Sequence, residues 1–405
     1  MRRRIRVRLE ALIVAGLALL AAVPALAQPF ATPAKQAILY DVENHAVLLS
    51  KDASKTFAPA SLAKLMTLAV VFDEIKAGRL SLDQTFPISE HAWRTGGGPA
   101  RVSAMFAALN SQVSVRDLLR GVCIVVGNDA AIALAEGIAG SEGVFANRMN
   151  ALARKIGLQD SHFVNPTGLP EAGQKTSARD LLRVARYLIE GHSELYKTFS
   201  EPDLDWSHIK QRNRNPLIPS MQGVDGLLTG TNDEGNLYVG SAMRDGRRLI
   251  VVVTGLPTDK EREDAARALL TYGFEGFVER KLFDAGQVVA NARVFGGRVS
   301  HVQLVTPVPV HVLMPREGDS TLTAKVQYTG PLQAPIQGGS DVATLKVWRD
   351  GILQREIPVR ANASVARGAL WQRAFDSVWE LGRSGVHAAV KKVMDKVLPK
   401  SLPQS

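Results

Sequence analysis

The apolar positions of the chain follow two different periods, and these divide it into regions. Near the start, Gln36-Ala37-Ile38-Leu39-Tyr40-Asp41 and Ala46-Val47-Leu48-Leu49 flank Glu43-Asn44-His45, a pattern that predicts a hairpin. A continuous apolar run over 65–71, entered past Pro59, predicts a buried helix. Between 110 and 190 the spacing becomes helical, with helices expected over 115–125, 130–138, 143–156 and 177–189. Ser177-Ala178-Arg179-Asp180 has the form of a capped helix start. After Gly223 strand patterns return at 237–242 and 248–253, joined by a turn at Arg244-Asp245-Gly246, and a helix over 260–275 closes the region. From 288 to 365 short alternating runs (302–305, 308–313, 322–326 and 345–348) are punctuated by Gly and Pro, the texture of an all-β module. This order predicts an α+β domain, its antiparallel sheet assembled from both ends of the segment and flanked by helices, followed by a small all-β sandwich.

The two ends of the chain read differently. Arg2, Arg3, Arg4, Arg6 and Arg8 precede an apolar stretch over 11–23, and Ala25-Leu26-Ala27 fits the small-x-small cleavage rule, so residues 1–27 are expected to be a signal peptide. Pro24 and the short apolar core argue against an uncleaved anchor. At the other end Trp371, Phe375, Val378, Trp379, Val386, Val390, Val393 and Val397 recur mostly at three- and four-residue steps, with Arg373, Arg383, Lys391, Lys392 and Lys396 between them. This predicts an amphipathic basic helix lying on a membrane surface, the alternative being a helix docked on the β module or on a partner. The expected divisions are therefore 1–27, 28–280 (the α+β domain), 281–366 (the all-β domain) and 367–405 (the amphipathic helix).

Composition narrows the function. The chain has 405 residues, 46% hydrophobic and 22% charged, with a formal net charge of +10. Removing residues 1–27, which hold five Arg and Glu10, leaves +6. That balance suits work beside anionic lipid or polymer, and no interleaved basic and aromatic stripe points to nucleic acid. The single cysteine, Cys123, sits in an apolar run, so no intrachain disulfide is possible and a buried structural thiol is expected. No H-x-x-x-H or cysteine cluster suggests a metal, no cofactor is implied, and no G-x-S-x-G elbow suggests a Ser-His-Asp hydrolase. His91, His208 and His301 read as surface or loop residues, and Asp129, Asp225 and Asp233 as turn and capping residues.

The informative chemistry is Ser61-Leu62-Ala63-Lys64. Residues three apart share a helix face, so a lysine amine can reach the serine hydroxyl, and a neutral, desolvated lysine can take its proton. The helix N-terminus adds N–H donors where an oxyanion would develop. The same spacing recurs at Ser207-His208-Ile209-Lys210, a polar stretch with no apolar run behind it, so spacing alone does not decide.

Taken with Ala58-Pro59-Ala60 before Ser61, Gly127-Asn128-Asp129-Ala130, Ser177-Ala178-Arg179-Asp180, Asn213-Arg214-Asn215 and Val224-Asp225-Gly226-Leu227-Leu228-Thr229-Gly230, the chain resembles the low-molecular-weight penicillin-binding proteins, the serine D-Ala-D-Ala carboxypeptidases of bacterial peptidoglycan. The resemblance covers nearly all of the mature chain and implies a serine D,D-peptidase/β-lactamase-like first domain. It implies Ser61 as nucleophile and Lys64 as general base. Asn128, Thr229, Gly230, Thr231 and Arg262 are implied as substrate-binding: Asn128 holding Lys64 and the substrate amide, Thr231 offering a backbone N–H to the oxyanion, Thr229 and Arg262 the substrate carboxylate. Thr231 itself stands where the family commonly has His.

Two motif positions depart from the family. Val126 replaces the serine of S-x-N, so no hydroxyl is there to relay a proton to the departing D-alanine, and Leu228 replaces the lysine of K-T-G. Losing an acid–base group costs about 10²–10⁴-fold in rate, and losing a charge-assisted contact about 1.5–3 kcal/mol. The expected function is a periplasmic carboxypeptidase of reduced activity, attached peripherally to the inner membrane, with peptidoglycan stem peptide as substrate and β-lactams as possible ligands. The alternative is a catalytically impaired homologue that binds peptidoglycan or a partner. β-Lactam hydrolysis ranks last, since no deacylating carboxylate stands near the motifs. Oligomeric state is left open.

Overall fold

A computed structural model describes residues 30–317 and 320–370. The expected signal peptide (1–27) and the stripe of the expected tail helix from Trp371 onward lie outside these residues.

Strands β1 (Gln36–Asp41), β2 (Ala46–Lys51), β3 (Val224–Asn232), β4 (Gly235–Arg244) and β5 (Arg247–Leu256) form one antiparallel sheet in the order β2-β1-β5-β4-β3. The N-terminal hairpin thus pairs with a strand some two hundred residues later, Ile38 opposite Val252, and the two ends of the domain meet in the sheet. Because side chains alternate along a strand, the sheet feeds two cores. Ile38, Leu237, Val239, Ile250 and Val252 join the core of the central helices, while Leu39, Tyr238, Val251 and Val253 join Ala266, Leu269 and Leu270 on the opposite face.

The longer helices are α1 (Lys64–Lys76), α2 (Val115–Val125), α3 (Asn128–Ala139), α4 (Glu142–Lys155), α5 (Ala178–Gly191) and α6 (Asp259–Glu275). The Ser177 hydroxyl accepts from Asp180 N at the start of α5, and Thr258 forms a capping box with Glu261 at the start of α6. Helix α1 is buried continuously from Lys64 to Phe72, as its unbroken apolar run requires of a central helix. Cys123 is buried, which pushes its thiol pKa well up.

Three short antiparallel pairs escaped the periodicity: Thr56–Phe57 with Thr176–Ser177, Thr85–Pro87 with Gln112–Ser114, and the hairpin Asp203–Trp206 with Ile209–Arg212. That hairpin accounts for the repeated S-x-x-K spacing. Ser207 and His208 form its two-residue turn with φ of 49° and 62°, the conformation such turns require. Lys210 lies on a strand, paired with Asp203 at 3.0 Å, and shares no helix face with Ser207. Asp225, expected as a turn residue, sits on β3 and pairs with Arg248 at 2.8 Å.

Past α6 the described residues form strands through Ala361. Strand β6 (Phe277–Phe283) pairs with Val310–Pro315, so it crosses the expected division at 280/281 and the all-β unit starts at the end of α6. A six-stranded sheet completes the sandwich around Val294, Leu304, Val312, Val347 and Val359. Buried Arg349 fastens this unit to the first, donating to Leu313 O within it and to the carbonyls of Val47 and Leu48 on β2 at 3.1 and 3.0 Å.

Candidate active site

Pro59 opens a tight 3₁₀ turn over Ala60–Ala63, and α1 begins at Lys64. Ser61 therefore sits in the turn that feeds the helix and caps nothing with its side chain. Lys64 is fully buried; its Nζ lies 3.3 Å from Ser61 Oγ and donates to Thr167 O at 2.6 Å. Burial disfavours the ammonium and lowers the Lys64 pKa to about 7, against an opposing pull from the Asp129 carboxylate. Burial thus favours the free amine of Lys64 beside the serine hydroxyl.

The loop that meets Lys64 is Asn165-Pro166-Thr167-Gly168-Leu169. Two α1 side chains three residues apart grip it, Lys64 at Thr167 O and Thr67 Oγ1 at Pro166 O, 2.7 Å away. Gly168 has φ +79°, and a Cβ there would overlap the carbonyl of Ala60, next to the nucleophile. Only glycine lets the loop come so close.

Asn128 and Asp129 begin α3 and organise the other wall. The Asp129 carboxylate accepts from Met105 N, Ala107 N and Ala130 N, and Asn128 Nδ2 donates to Ser103 O at 3.1 Å. Burial raises the Asp129 pKa, while these backbone N–H groups pull it back. Asn128 Oδ1 is buried without a hydrogen-bond partner. The expected hold of Asn128 on Lys64 is thus not made: its amide is turned to the loop at Ser103, and Thr167 O takes the lysine instead. Val126 ends α2 with φ 59°, an uncommon conformation for a β-branched residue.

Strand β3 is the edge of the sheet beside the nucleophile. A Cβ on Gly230 would lie 3.3 Å from Ser61 N, so the strand approaches the turn closely at that point. Thr231 is exposed, its hydroxyl 2.9 Å from Asn236 Oδ1. Thr229 is half-buried, opposite Tyr238 in register. Leu228 is 1% exposed and Val126 3% exposed, both within the central-helix core, so apolar side chains are at home at both departures. Arg262 is placed differently from expectation. It lies on α6, ion-paired with Asp259 at 2.7 Å and close enough to Tyr238 to act on its charge; no hydrogen bond joins it to Ser61, Lys64 or Thr229 among the described residues. Burial lowers its pKa, and its Nε has no partner.

The structure thus gathers Ser61, Lys64 and Gly230, with Asn128 and Asp129 on one wall and the loop at Asn165–Leu169 on the other. Sequence reasoning missed that loop and Ser103. Its only local sign is the turn chemistry of Asn-Pro-Thr-Gly.

Residues 23–258 match the family described as D-alanyl-D-alanine carboxypeptidase, and residues 277–367 match the penicillin-binding protein 5 C-terminal domain. The chain is 36% identical over 354 residues to the D-alanyl-D-alanine carboxypeptidase DacD of Salmonella typhimurium, covering 86% of this chain and 90% of that protein. Its structure is similar to penicillin-binding protein 5 from Haemophilus influenzae, with TM-score 0.68 and 34% identity over 84% of this chain and 99% of that one. It is also similar to penicillin-binding protein D2 from Listeria monocytogenes in its ampicillin-bound form, with TM-score 0.55 and 31% identity over 61% of this chain and 100% of that one.

Proposed function

The chain belongs to the D-alanyl-D-alanine carboxypeptidase family, and from that premise we propose that it removes the terminal D-alanine from peptidoglycan stem peptides ending in D-Ala-D-Ala, through an acyl-enzyme on Ser61. The observation that carries the reading is the fully buried Lys64 amine, its pKa about 7, 3.3 Å from the Ser61 hydroxyl.

In the proposed reaction the Lys64 amine takes the proton of Ser61 Oγ as the oxygen attacks the carbonyl between the two D-alanines. The oxyanion is received by the N–H groups of Ser61 and Thr231. As the C–N bond breaks, the Lys64 ammonium returns the proton to the departing amine, leaving an ester on Ser61 that water hydrolyses. With valine at 126 no side-chain hydroxyl relays that proton, so Lys64 serves both steps alone. With leucine at 228 no lysine cation faces the substrate carboxylate, which falls to Thr229, with Arg262 reaching it only by reorganising its pair with Asp259. We therefore assign a reduced rate. β-Lactams, which carry an acylating carbonyl of similar shape, are proposed to acylate Ser61. Export by residues 1–27 and attachment to the inner-membrane surface by the C-terminal stripe belong to the same proposal.

A second reading is favoured by one observation: Val126 and Leu228 both complete an apolar core. On that reading the protein binds peptidoglycan or a wall partner without turning it over. The test is D-alanine release from a peptide ending in D-Ala-D-Ala. Release that disappears in Ser61→Ala supports the enzyme; none above background, with tight binding of the same peptide, supports the binder.

A further inference from the structure

Asn165 makes four side-chain hydrogen bonds, all within its own loop. Its Oδ1 accepts from Thr167 Oγ1 at 3.0 Å and from Gly168 N at 2.8 Å. Its Nδ2 donates to Leu169 O at 3.1 Å and to Glu171 Oε2 at 2.9 Å. It is 8% exposed and lies one residue from the first carbonyl that α1 grips and two from the second. The loop has no regular secondary structure at this point and is fixed by side chains: Gln174 accepts from Val164 N and Asn165 N and donates to Leu169 O at its two ends, while Asn165 holds Thr167 and Gly168, the residues on either side of the Thr167 carbonyl. That carbonyl is the nearer of the two oxygens bonded to the Lys64 amine.

We propose that Asn165 is a positioning residue for the reaction: by fixing the loop it holds the Thr167 carbonyl on Lys64 and so aims the amine at Ser61 Oγ. The inference rests on Ser61 and Lys64 as the reacting pair. Asn165 touches neither of them; it acts through the main chain of Thr167. The carboxylates concerned are Asp129, whose field acts on Lys64 from α3, and Glu171, held at the far end of Asn165. Loosening the loop would let water reach the amine and restore some of its ordinary basicity.

The test is NMR titration of the full chain carrying [ε-¹³C]lysine, the Lys64 signal being assigned by its loss in Lys64→Met, with acylation by benzylpenicillin followed in parallel. In Asn165→Ala the Lys64 midpoint is expected to rise by at least about 0.5 pH unit and acylation to slow roughly 10–100-fold. The paired exchange Asn165→Asp with Glu171→Gln keeps both acceptor contacts and reverses the bond to residue 171 but leaves Leu169 O without its donor, so it is expected to restore part of both. If Asn165→Ala does not fold, Thr167→Val, which removes one Asn165 contact and keeps the carbonyl, reads the same midpoint. A midpoint that stays or falls, with acylation lost only in proportion to folded protein, would overturn the proposal. If the unaltered chain is not acylated while the midpoint still moves, the positioning stands and the carboxypeptidase reading fails.

Discussion

Lys64 donates to the main-chain carbonyl of Thr167 at 2.6 Å, a closer contact than its 3.3 Å approach to Ser61 Oγ. The amine is tethered through one N–H to a residue far away in sequence, and that tether fixes where its remaining valences point. Because the carbonyl is neutral, it orients the lysine without restoring the charge that burial removes. A base of pKa about 7 results from burial outweighing the field of Asp129.

The first consequence is a pH profile. Only the free amine can accept the serine proton, so acylation by benzylpenicillin should rise with pH and level off above the Lys64 pKa, with a midpoint near 7. A second-order acylation rate measured from about pH 5 to about pH 9 checks this. A flat profile would remove Lys64 as the base.

The same burial costs stability. The folded-state pKa of Lys64 is depressed below its unfolded value of 10.5, so the unfolded chain binds the extra proton between about 7 and 10.5. The penalty is full below pH 7 and fades as pH rises through that window. Lys64→Met removes it, at the expense of an unbonded Thr167 carbonyl worth about 1–3 kcal/mol. The variant is expected to be inactive yet more stable at pH 6, by about 1–3 kcal/mol in urea unfolding, with the gain shrinking toward pH 10.

Gly168→Ala should open the site without touching a reacting group. Its Cβ would overlap the Ala60 carbonyl, which belongs to the turn bearing Ser61, and the left-handed backbone adds strain. We expect at least about 3 kcal/mol of destabilisation and little or no acylation by the folded remainder. Thermal unfolding together with penicillin labelling reads both.

Val126→Ser and Leu228→Lys separate the two readings of function. Val126→Ser supplies a hydroxyl and relieves a β-branched residue at φ 59°, against a cost of about 1–3 kcal/mol for a hydroxyl buried in an apolar core. Leu228→Lys buries an amine where a leucine is 1% exposed and should cost roughly 4–7 kcal/mol, the desolvation of a fully buried lysine. Together they are expected to raise D-alanine release at least about 10-fold. No gain from the folded double variant would say that the scaffold has lost more than these two groups.

Much of the fold was legible because its signals are local. The cap at Ser177, the apolar run of α1 and the alternation in β4 and β5 each fix their element within a few residues. The Ser61–Lys64 pair was legible for the same reason, since one helical turn brings them together. What stayed hidden depends on distant chain. The Thr167 carbonyl meets Lys64 across 103 positions, and a backbone acceptor leaves no residue type to notice. Asn128 looked like a partner for Lys64 because spacing fixes its place and not the direction of its amide. Arg262 was correctly on a helix, but which face of the sheet that helix covers is set by the whole connection. The second S-x-x-K shows the converse: Ser207 and Lys210 have the spacing without the helix, since two residues at positive φ turn the chain between strands.

The most direct measurement is intact-mass and peptide-mapping spectrometry of the protein after incubation with benzylpenicillin, beside an assay of D-alanine released from a D-Ala-D-Ala peptide. The protein is expected to gain one penicilloyl group, on Ser61, absent from Ser61→Ala, together with slow D-alanine release. A folded protein that gains no adduct and releases no D-alanine would contradict this expectation.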